Sequence, residues 1–334
     1  MPGEYIGRVD PFDPLYDYMK HEIFPQLGCD CRDGIRVFRT NGSNEVYVYE
    51  DRASGQKVVG KFFYSNRMKD WNLAWRRLDR EYRNIEEFRR YVDPGCHYVA
   101  KVLGRNDDLN RLLVVEYVCG EALDSVILRS IHSGDDGLLF DKLKALAYFL
   151  ATVHNRSAQE GVMADFEAVC AYYRTLVHAV EPITSPEERA ELEHYCTVWH
   201  NEEVMWQDQS VLVHGDATPA NFFFGDGMYV ISFYMERVRR SDRLFDVGRI
   251  CCELQHFFCR NTGNKYRAEP FIGHFLWEYA THFPDRESAF RAISARLPFY
   301  MGMNLIRIAR NDYLEYNYRR MLLQEVRNCL ERKG

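Results

Sequence analysis

The sequence predicts an α+β protein of two lobes, the first built on a small antiparallel sheet and the second mainly helical. Three observations carry that prediction. Between Ile35 and Phe63, short β-prone runs alternate with tight polar turns. From residue 67 to 91 the apolar period lengthens to three and four, the signature of a helix with one buried stripe. After Gly120 the pattern is helical apart from three short β-prone runs. The division falls at residues 117–121, giving a first lobe of residues 1–118 with a leader segment and a second lobe of residues 119–334.

Each element has its own reason. In the leader, Phe12, Leu15, Tyr16, Met19, Ile23 and Phe24 are spaced as in a partly helical segment lying over the first lobe. Ile35–Phe38, Val46–Tyr49 and Lys57–Phe63 read as three strands of a meander, joined through Arg39–Asn44 and Arg52–Gln56. Trp71, Trp75, Leu78, Tyr82, Ile85 and Phe88 form the apolar stripe of the long helix, which Pro94-Gly95 ends. Tyr98–Leu103 and Arg111–Val118 are two further strands, split by the polar turn Arg105–Asp108. Strands, one helix and strands again suit a small sheet with a helix packed on it. In the second lobe Leu143, Leu146, Ala147, Leu150 and Val153 mark a helix. Residues 165–180 and 187–207 follow with mixed helical patterns. Val211–Val213, Phe222–Phe224 and Met228–Ile231 are β-prone, and everything after Asp246 reads as helix, with an insertion at Phe258–Asn264.

Composition narrows the function classes. Hydrophobic residues make up 46% and charged residues 28%, as in ordinary globular proteins. A net charge of -6 argues against nucleic acid as a partner, since such binders present a basic surface. No apolar stretch approaches bilayer length and the N-terminus lacks the layout of a secretion signal, so no membrane partner and a cytoplasmic location are expected. Cys29-Asp30-Cys31 does not have metal-site spacing, and the ten cysteines read as reduced, mostly buried thiols.

The sharpest string is Val211-Leu212-Val213-His214-Gly215-Asp216-Ala217-Thr218-Pro219-Ala220-Asn221. A strand delivers an aspartate into a Gly- and Pro-containing loop, and an asparagine follows five residues on. A carboxylate can take a proton from a hydroxyl, and an amide oxygen can ligate Mg²⁺. A surface turn would contain the same residue types, and single-residue chemistry leaves both readings open.

The setting favours the first. His214-Gly215-Asp216, four residues and Asn221, with the helix Leu146–His154 ahead and Phe245-Asp246-Val247-Gly248 behind, resemble the catalytic loop of the aminoglycoside and choline phosphotransferase family. That family is a branch of the protein-kinase-like fold, and the resemblance runs roughly from residue 35 to residue 310. It implies ATP and Mg²⁺ as cofactors and a small-molecule hydroxyl as substrate. It makes Asp216 the catalytic base or hydroxyl-orienting residue, Asn221 a metal ligand, Asp246 a buttress under the loop and His214 a packing residue. Lys61 would pair with the α- and β-phosphates, with Glu81, beside the apolar stripe, as its partner. Lys57 and the helix glutamates Glu86 and Glu87 are the competitors. Gly42, Ser43 and Asn44 would cover the phosphates, although a plain hairpin turn looks the same. Glu116 and Val118 would form the adenine hinge.

One position departs from the pattern. Where the family has an Ile-Asp pair, this chain reads Ile231-Ser232, so Ser232 stands at the expected acidic metal ligand. Asp226 and Glu236 are nearby acids. Glu236 lies four residues past Ser232, whereas the family's next glutamate lies two past its aspartate, a position that falls on Tyr234. The expected function is an ATP-dependent phosphotransferase for an amine-bearing or sugar-like molecule, impaired by Ser232. A noncatalytic, pseudokinase-like module that binds a nucleotide or metabolite is the alternative. Intact Lys61, Asp216 and Asn221 favour the former. Asp165, Glu253, His256, Trp277, Glu278 and Tyr300 are candidates for the substrate wall, and equally for ordinary helix positions.

Overall fold

A meander of short strands cannot bury much apolar surface by itself, and the leader segment supplies what is missing. The structure, a computed structural model, describes residues 3–40 and 45–331. They divide into two compact units, giving a two-lobed α+β architecture. The first comprises the described residues up to Arg90, Tyr98–Gly120 and Ile231–Glu236, and the second comprises Tyr91–His97, Glu121–Val230 and the residues from Arg237 onward.

The first unit contains β1 (Glu4–Arg8), α1 (Pro14–Tyr18), β2 (Ile35–Arg39), β3 (Glu45–Asp51), β4 (Lys57–Phe62) and α2 (Trp71–Arg89). The short β5 (His97–Val99) precedes β6 (Val102–Asn106) and β7 (Leu112–Glu116). The sheet runs β1-β2-β3-β4-β7-β6 with every neighbouring pair antiparallel. Tyr18, Met19, Ile23 and Phe24 of the leader share one core with Ile35, Tyr49, Val58, Leu112 and Val114. Each such side chain contributes roughly 1.5–3 kcal/mol on burial, so the leader is part of the lobe's core.

Asp70 caps α2, its Oδ1 accepting from the Asn72 and Leu73 amides at 3.0 and 2.9 Å. The buried face is Ala74, Leu78, Glu81, Ile85 and Phe88. Trp71 and Trp75, expected in the apolar stripe, lie at its rim. Trp71 packs on Tyr64 and under the Arg111 guanidinium, and Trp75 donates to Asp107. An indole suits such a rim because its N–H can stay solvated or bonded.

The second unit holds β8 (Glu121–Ala122), α3 (Leu123–Ser133), α4 (Asp136–Ser157), α5 (Phe166–Ala179), α6 (Pro186–His200), β9 (Val211–Val213) and β10 (Phe222–Phe224). After β11 (Val230–Ser232) come β12 (Arg239–Ser241), α7 (Leu244–Thr262), α8 (Glu269–Ala280), α9 (Arg286–Ala309) and α10 (Tyr316–Leu330). β9 pairs with β12, and β10 with β8. α7 is buried continuously from Leu244 to Leu254. Gly248 lets α9 come close, since a Cβ there would lie 2.5 Å from the Tyr300 Cβ. The run Phe258–Thr262, expected in an insertion, is the last stretch of α7, which Gly263 ends in a left-handed conformation. No helix among the described residues is long and apolar enough to cross a membrane.

Candidate active site

Lys61 lies in β4 opposite Leu113 of β7 and is 5% exposed. A lysine this buried needs a counter-charge. α2 supplies it through Glu81, whose Oε2 is 2.6 Å from Nζ. Glu86 and Glu87 lie off the buried face of that helix. A second carboxylate, Glu236, comes from the turn Met235–Arg237 and reaches Nζ at 3.0 Å. The rings of Phe63 and Tyr234 are centred 5.1 and 5.8 Å from the same nitrogen. Burial works against the Lys61 charge, but the two glutamates outweigh it and hold the ammonium above its usual range. Glu81 is pushed upward, first by burial and further by Glu236, with Lys61 opposing. Two carboxylates on one ammonium leave a net negative cluster, and the more deeply buried acid bears the cost. Lys57, at the start of β4, pairs with Glu50 at 3.3 Å instead.

Ser232 ends β11. Its side chain is fully buried, its Oγ has no hydrogen-bond partner, and its carbonyl accepts from the Ala100 amide at 3.3 Å. The hydroxyl of Ser232, the residue read as standing at a metal-ligand position, therefore opens onto no solvent. Beyond it the chain turns. Tyr234 has φ 62° and is 42% exposed. Met235 is buried and its carbonyl accepts from Asn84 Nδ2 at 2.7 Å. The sequence reading gave Tyr234 no role, and its two-residue spacing to Glu236 is the signal that points to it.

In the second unit, β9 leads into the loop His214–Asn221. Gly215 has φ 76°, and a Cβ there would lie 2.0 Å from the Arg237 carbonyl oxygen, so only glycine fits. The Asp246 carboxylate accepts from the His214 and Gly215 amides at 2.6 and 2.9 Å and lies 3.3 Å from His154 Nε2. His154 Nδ1 is bonded to the Tyr279 hydroxyl at 2.8 Å. Burial opposes the charge of Asp246, but the His154 bond, the two histidine rings and the loop amide keep its carboxyl below the usual range. His214 is buried, with Nδ1 facing the Asp216 amide at 3.3 Å and its ring packed on Phe222. Asn221 Nδ2 donates to the Asp216 carbonyl at 2.7 Å, closing the loop on itself.

The Asp216 side chain stays 27% exposed. Its Oδ1 accepts from Arg249 Nη1 at 2.6 Å, and Arg237 Nε lies 3.9 Å from Oδ2. Arg249 is fully buried on α7 and also donates to the Gly215 carbonyl at 2.8 Å and to Asn304 Oδ1 at 2.9 Å. Burial, with Arg307 second, pushes its guanidinium down to about 10. Arg249 carries no motif and His154 entered only as the end of the helix Leu146–His154, so the sequence reading missed the part each plays in the loop.

Of the hinge candidates, Glu116 ends β7. Its amide donates to the Lys101 carbonyl at 2.9 Å, and its carboxylate accepts from Tyr98 and the Lys101 amide. Val118 follows outside any strand. Gly42, Ser43 and Asn44 lie outside the described residues. The substrate-wall candidates fall on α7, α8, α9 and the start of α5. Asp165 caps α5, Glu253 pairs with Arg307, and His256 Nδ1 is bonded to Tyr318. Trp277 lies under the Arg286 guanidinium, Glu278 lies 3.8 Å from Lys144, and Tyr300 is fully buried. Asp165 remains exposed while capping α5, and Tyr300 is enclosed.

At Ser232 and Glu236 the donors do not suit Mg²⁺, which is held by one or two carboxylates together with phosphates and waters. Ser232 is enclosed, Glu236 is engaged by Lys61, and no group of three or more His, Cys, Asp or Glu among the described residues could hold a metal.

Comparison with known proteins agrees with this architecture. No curated protein matches the chain. Among solved structures, ADP-bound aminoglycoside phosphotransferase APH(2'')-Ib is 15% identical, with a TM-score of 0.56 over 93% of this chain and 97% of that one. The ethanolamine kinase of Plasmodium vivax is 14% identical, with a TM-score of 0.56 over 93% and 86%. Amicoumacin kinase hAmiN, in complex with AMP-PNP, Ca²⁺ and Ami, is 17% identical, with a TM-score of 0.55 over 88% and 87%. At these identities the likeness is one of fold. The family model described as the phosphotransferase enzyme family matches residues 35–283. The chain belongs to the phosphotransferase enzyme family.

Proposed function

We propose that this protein binds a nucleoside triphosphate through Lys61 and transfers its terminal phosphoryl group to a hydroxyl of a small molecule. The observation that carries this reading is the loop His214–Asn221. Asp246 holds its backbone, and Asp216 keeps a partly exposed carboxylate facing outward. In the transfer, the hydroxyl oxygen bonds to the terminal phosphorus while the bond from that phosphorus to the bridging oxygen breaks. The hydroxyl proton passes to Asp216, and the nucleoside diphosphate leaves. Such transition states are loose, so Asp216 acts chiefly by orienting the attacking oxygen. Arg237 and Arg249 beside Asp216 disfavour an ammonium next to the reacting hydroxyl, so a sugar-like acceptor suits the loop better than an amine-bearing one.

The test is hydroxyl-dependent ATP turnover across a panel of sugars and amino alcohols. Asp216→Asn should keep the fold and nucleotide affinity and lose a factor of about 10²–10⁴ in kcat. Near-normal turnover in that variant removes the loop from the chemistry. A second reading, a nucleotide-binding module without turnover, is favoured by one observation: Glu236 already occupies Lys61. ATP binding without turnover for any hydroxyl in the panel selects it.

A further inference from the structure

The segment Ser232–Glu236 is built around a residue in an unfavourable backbone conformation. Aromatic side chains rarely adopt a left-handed backbone, and such outliers persist where their surroundings over-determine them. Here both ends are fixed. On one side β11 is tied through the Ser232 carbonyl to the Ala100 amide. On the other, Asn84 holds the Met235 carbonyl and Lys61 holds Glu236. The left-handed turn is what carries the Tyr234 ring to Lys61 and leaves it 42% exposed, while Ser232 faces the interior. Position 234 is thus the position from which a side chain on this segment reaches the solvent-facing side of the Lys61–Glu236 pair.

We infer that position 234, not 232, is where this protein would meet a divalent cation, and that Tyr234 closes that site. The inference rests on the proposed nucleotide role of Lys61. A neutral phenol is a poor ligand for a hard cation, which takes carboxylate oxygens. Partial burial raises the Tyr234 phenol above its usual range, with Lys61 opposing, so it stays protonated. An aspartate at 234 would bring a carboxylate beside Glu236, and aspartate tolerates the left-handed conformation better than tyrosine. The spacing from that aspartate to Glu236 would then be the two residues expected of the family. An aspartate at 232 would instead place an unpaired charge where the hydroxyl already has no partner.

Mn²⁺ serves as the probe, by paramagnetic titration of the free ion with and without ATP, alongside thermal melting. The native protein should show no tight Mn²⁺ site, and its ATP affinity should be the same in chelator. Tyr234→Asp should melt no lower than the native protein and gain at least about tenfold in Mn²⁺ affinity. Ser232→Asp should melt lower and gain no Mn²⁺ site. Tight Mn²⁺ binding by the native protein overturns the inference, as does a gain in Ser232→Asp without one in Tyr234→Asp. Absence of a gain in both variants, measured with Mn²⁺ alone, also overturns it. Failure of every form to bind ATP counts against the proposed nucleotide role of Lys61, and the Mn²⁺ titration still decides the position of the cation site.

Discussion

Gly215 and Gly227 offer a controlled comparison of what the loop demands. Both have positive φ, 76° and 56°. A Cβ at Gly227 meets nothing within 4 Å, whereas at Gly215 it meets the Arg237 carbonyl oxygen at 2.0 Å. Gly227→Ala should therefore cost only the left-handed penalty, about 1–2 kcal/mol. Gly215→Ala should add an overpacking cost of about 1–3 kcal/mol and disturb Asp216. Urea midpoints of the two variants check the difference, and equal losses would mean that the loop yields freely. Arg249→Met should cost about 1–3 kcal/mol by leaving the Gly215 carbonyl and Asp216 without their donor, together with a fall in kcat that Arg249→Lys partly restores. The sequence displayed Lys61, Glu81 and Asp216 because charge in an apolar or turn context is visible as residue type, and the family resemblance added Asp246. It did not display the burial of Ser232 or the left-handed backbone of Tyr234, because those depend on where a strand ends and on the sign of one φ, and residue type encodes neither.

The elements were legible in proportion to their apolar periodicity. β3, β4 and β7 are short β-prone runs rich in Val, Leu and Tyr or Phe, and α2 carries a stripe, so their existence followed directly. The stripe itself was displaced. Its buried members include Glu81, which the ion pair to Lys61 makes admissible on that face, while two tryptophans moved to the rim. β12 reads Arg-Arg-Ser and has no apolar alternation, and it exists because β9 offers it a ladder. β1 likewise gains its structure from pairing with β2 rather than from its own composition. The leader was expected to lie over the lobe and instead contributes to its core, which makes a prediction at Phe24, fully buried in that core. Phe24→Ala should cost about 3–5 kcal/mol, read as a shifted urea midpoint together with weaker ATP binding. A loss below about 1 kcal/mol would show that the leader is peripheral to the sheet.

Buried charge in the second unit is nearly all paired. Asp208 lies 2.9 Å from Arg243 and 2.5 Å from Arg296, and Arg296 also holds Asp242. His97 is a buried titratable ring with one nitrogen left without a partner. It is 1% exposed, its Nδ1 accepts from the Asp93 amide at 3.3 Å, and its Nε2 has no partner. The rings of Tyr148 and Phe149 lie 4.6 and 5.1 Å from it. Burial is the largest influence and lowers its proton affinity from 6.5 to about 4, with Asp93 opposing. Protonation therefore favours the unfolded chain, whose histidine titrates at its ordinary value. Stability should be full above pH 6.5 and fall as pH drops toward about 4, a loss of at most about 3 kcal/mol. Asp246, held below its ordinary 3.8, extends the loss to lower pH, since its contribution is present above that value and disappears as the carboxylate protonates. The two limbs separate by substitution. His97→Phe fills the same aromatic pocket without a titrating group and should flatten the curve between pH 6.5 and 4, leaving the lower limb in place. Unfolding midpoints at pH 7, 5.5 and 4.5 are the measurement. An unchanged slope in His97→Phe would assign the acid sensitivity to another group, whereas a flattened slope with normal stability at pH 7 locates it in the His97 ring.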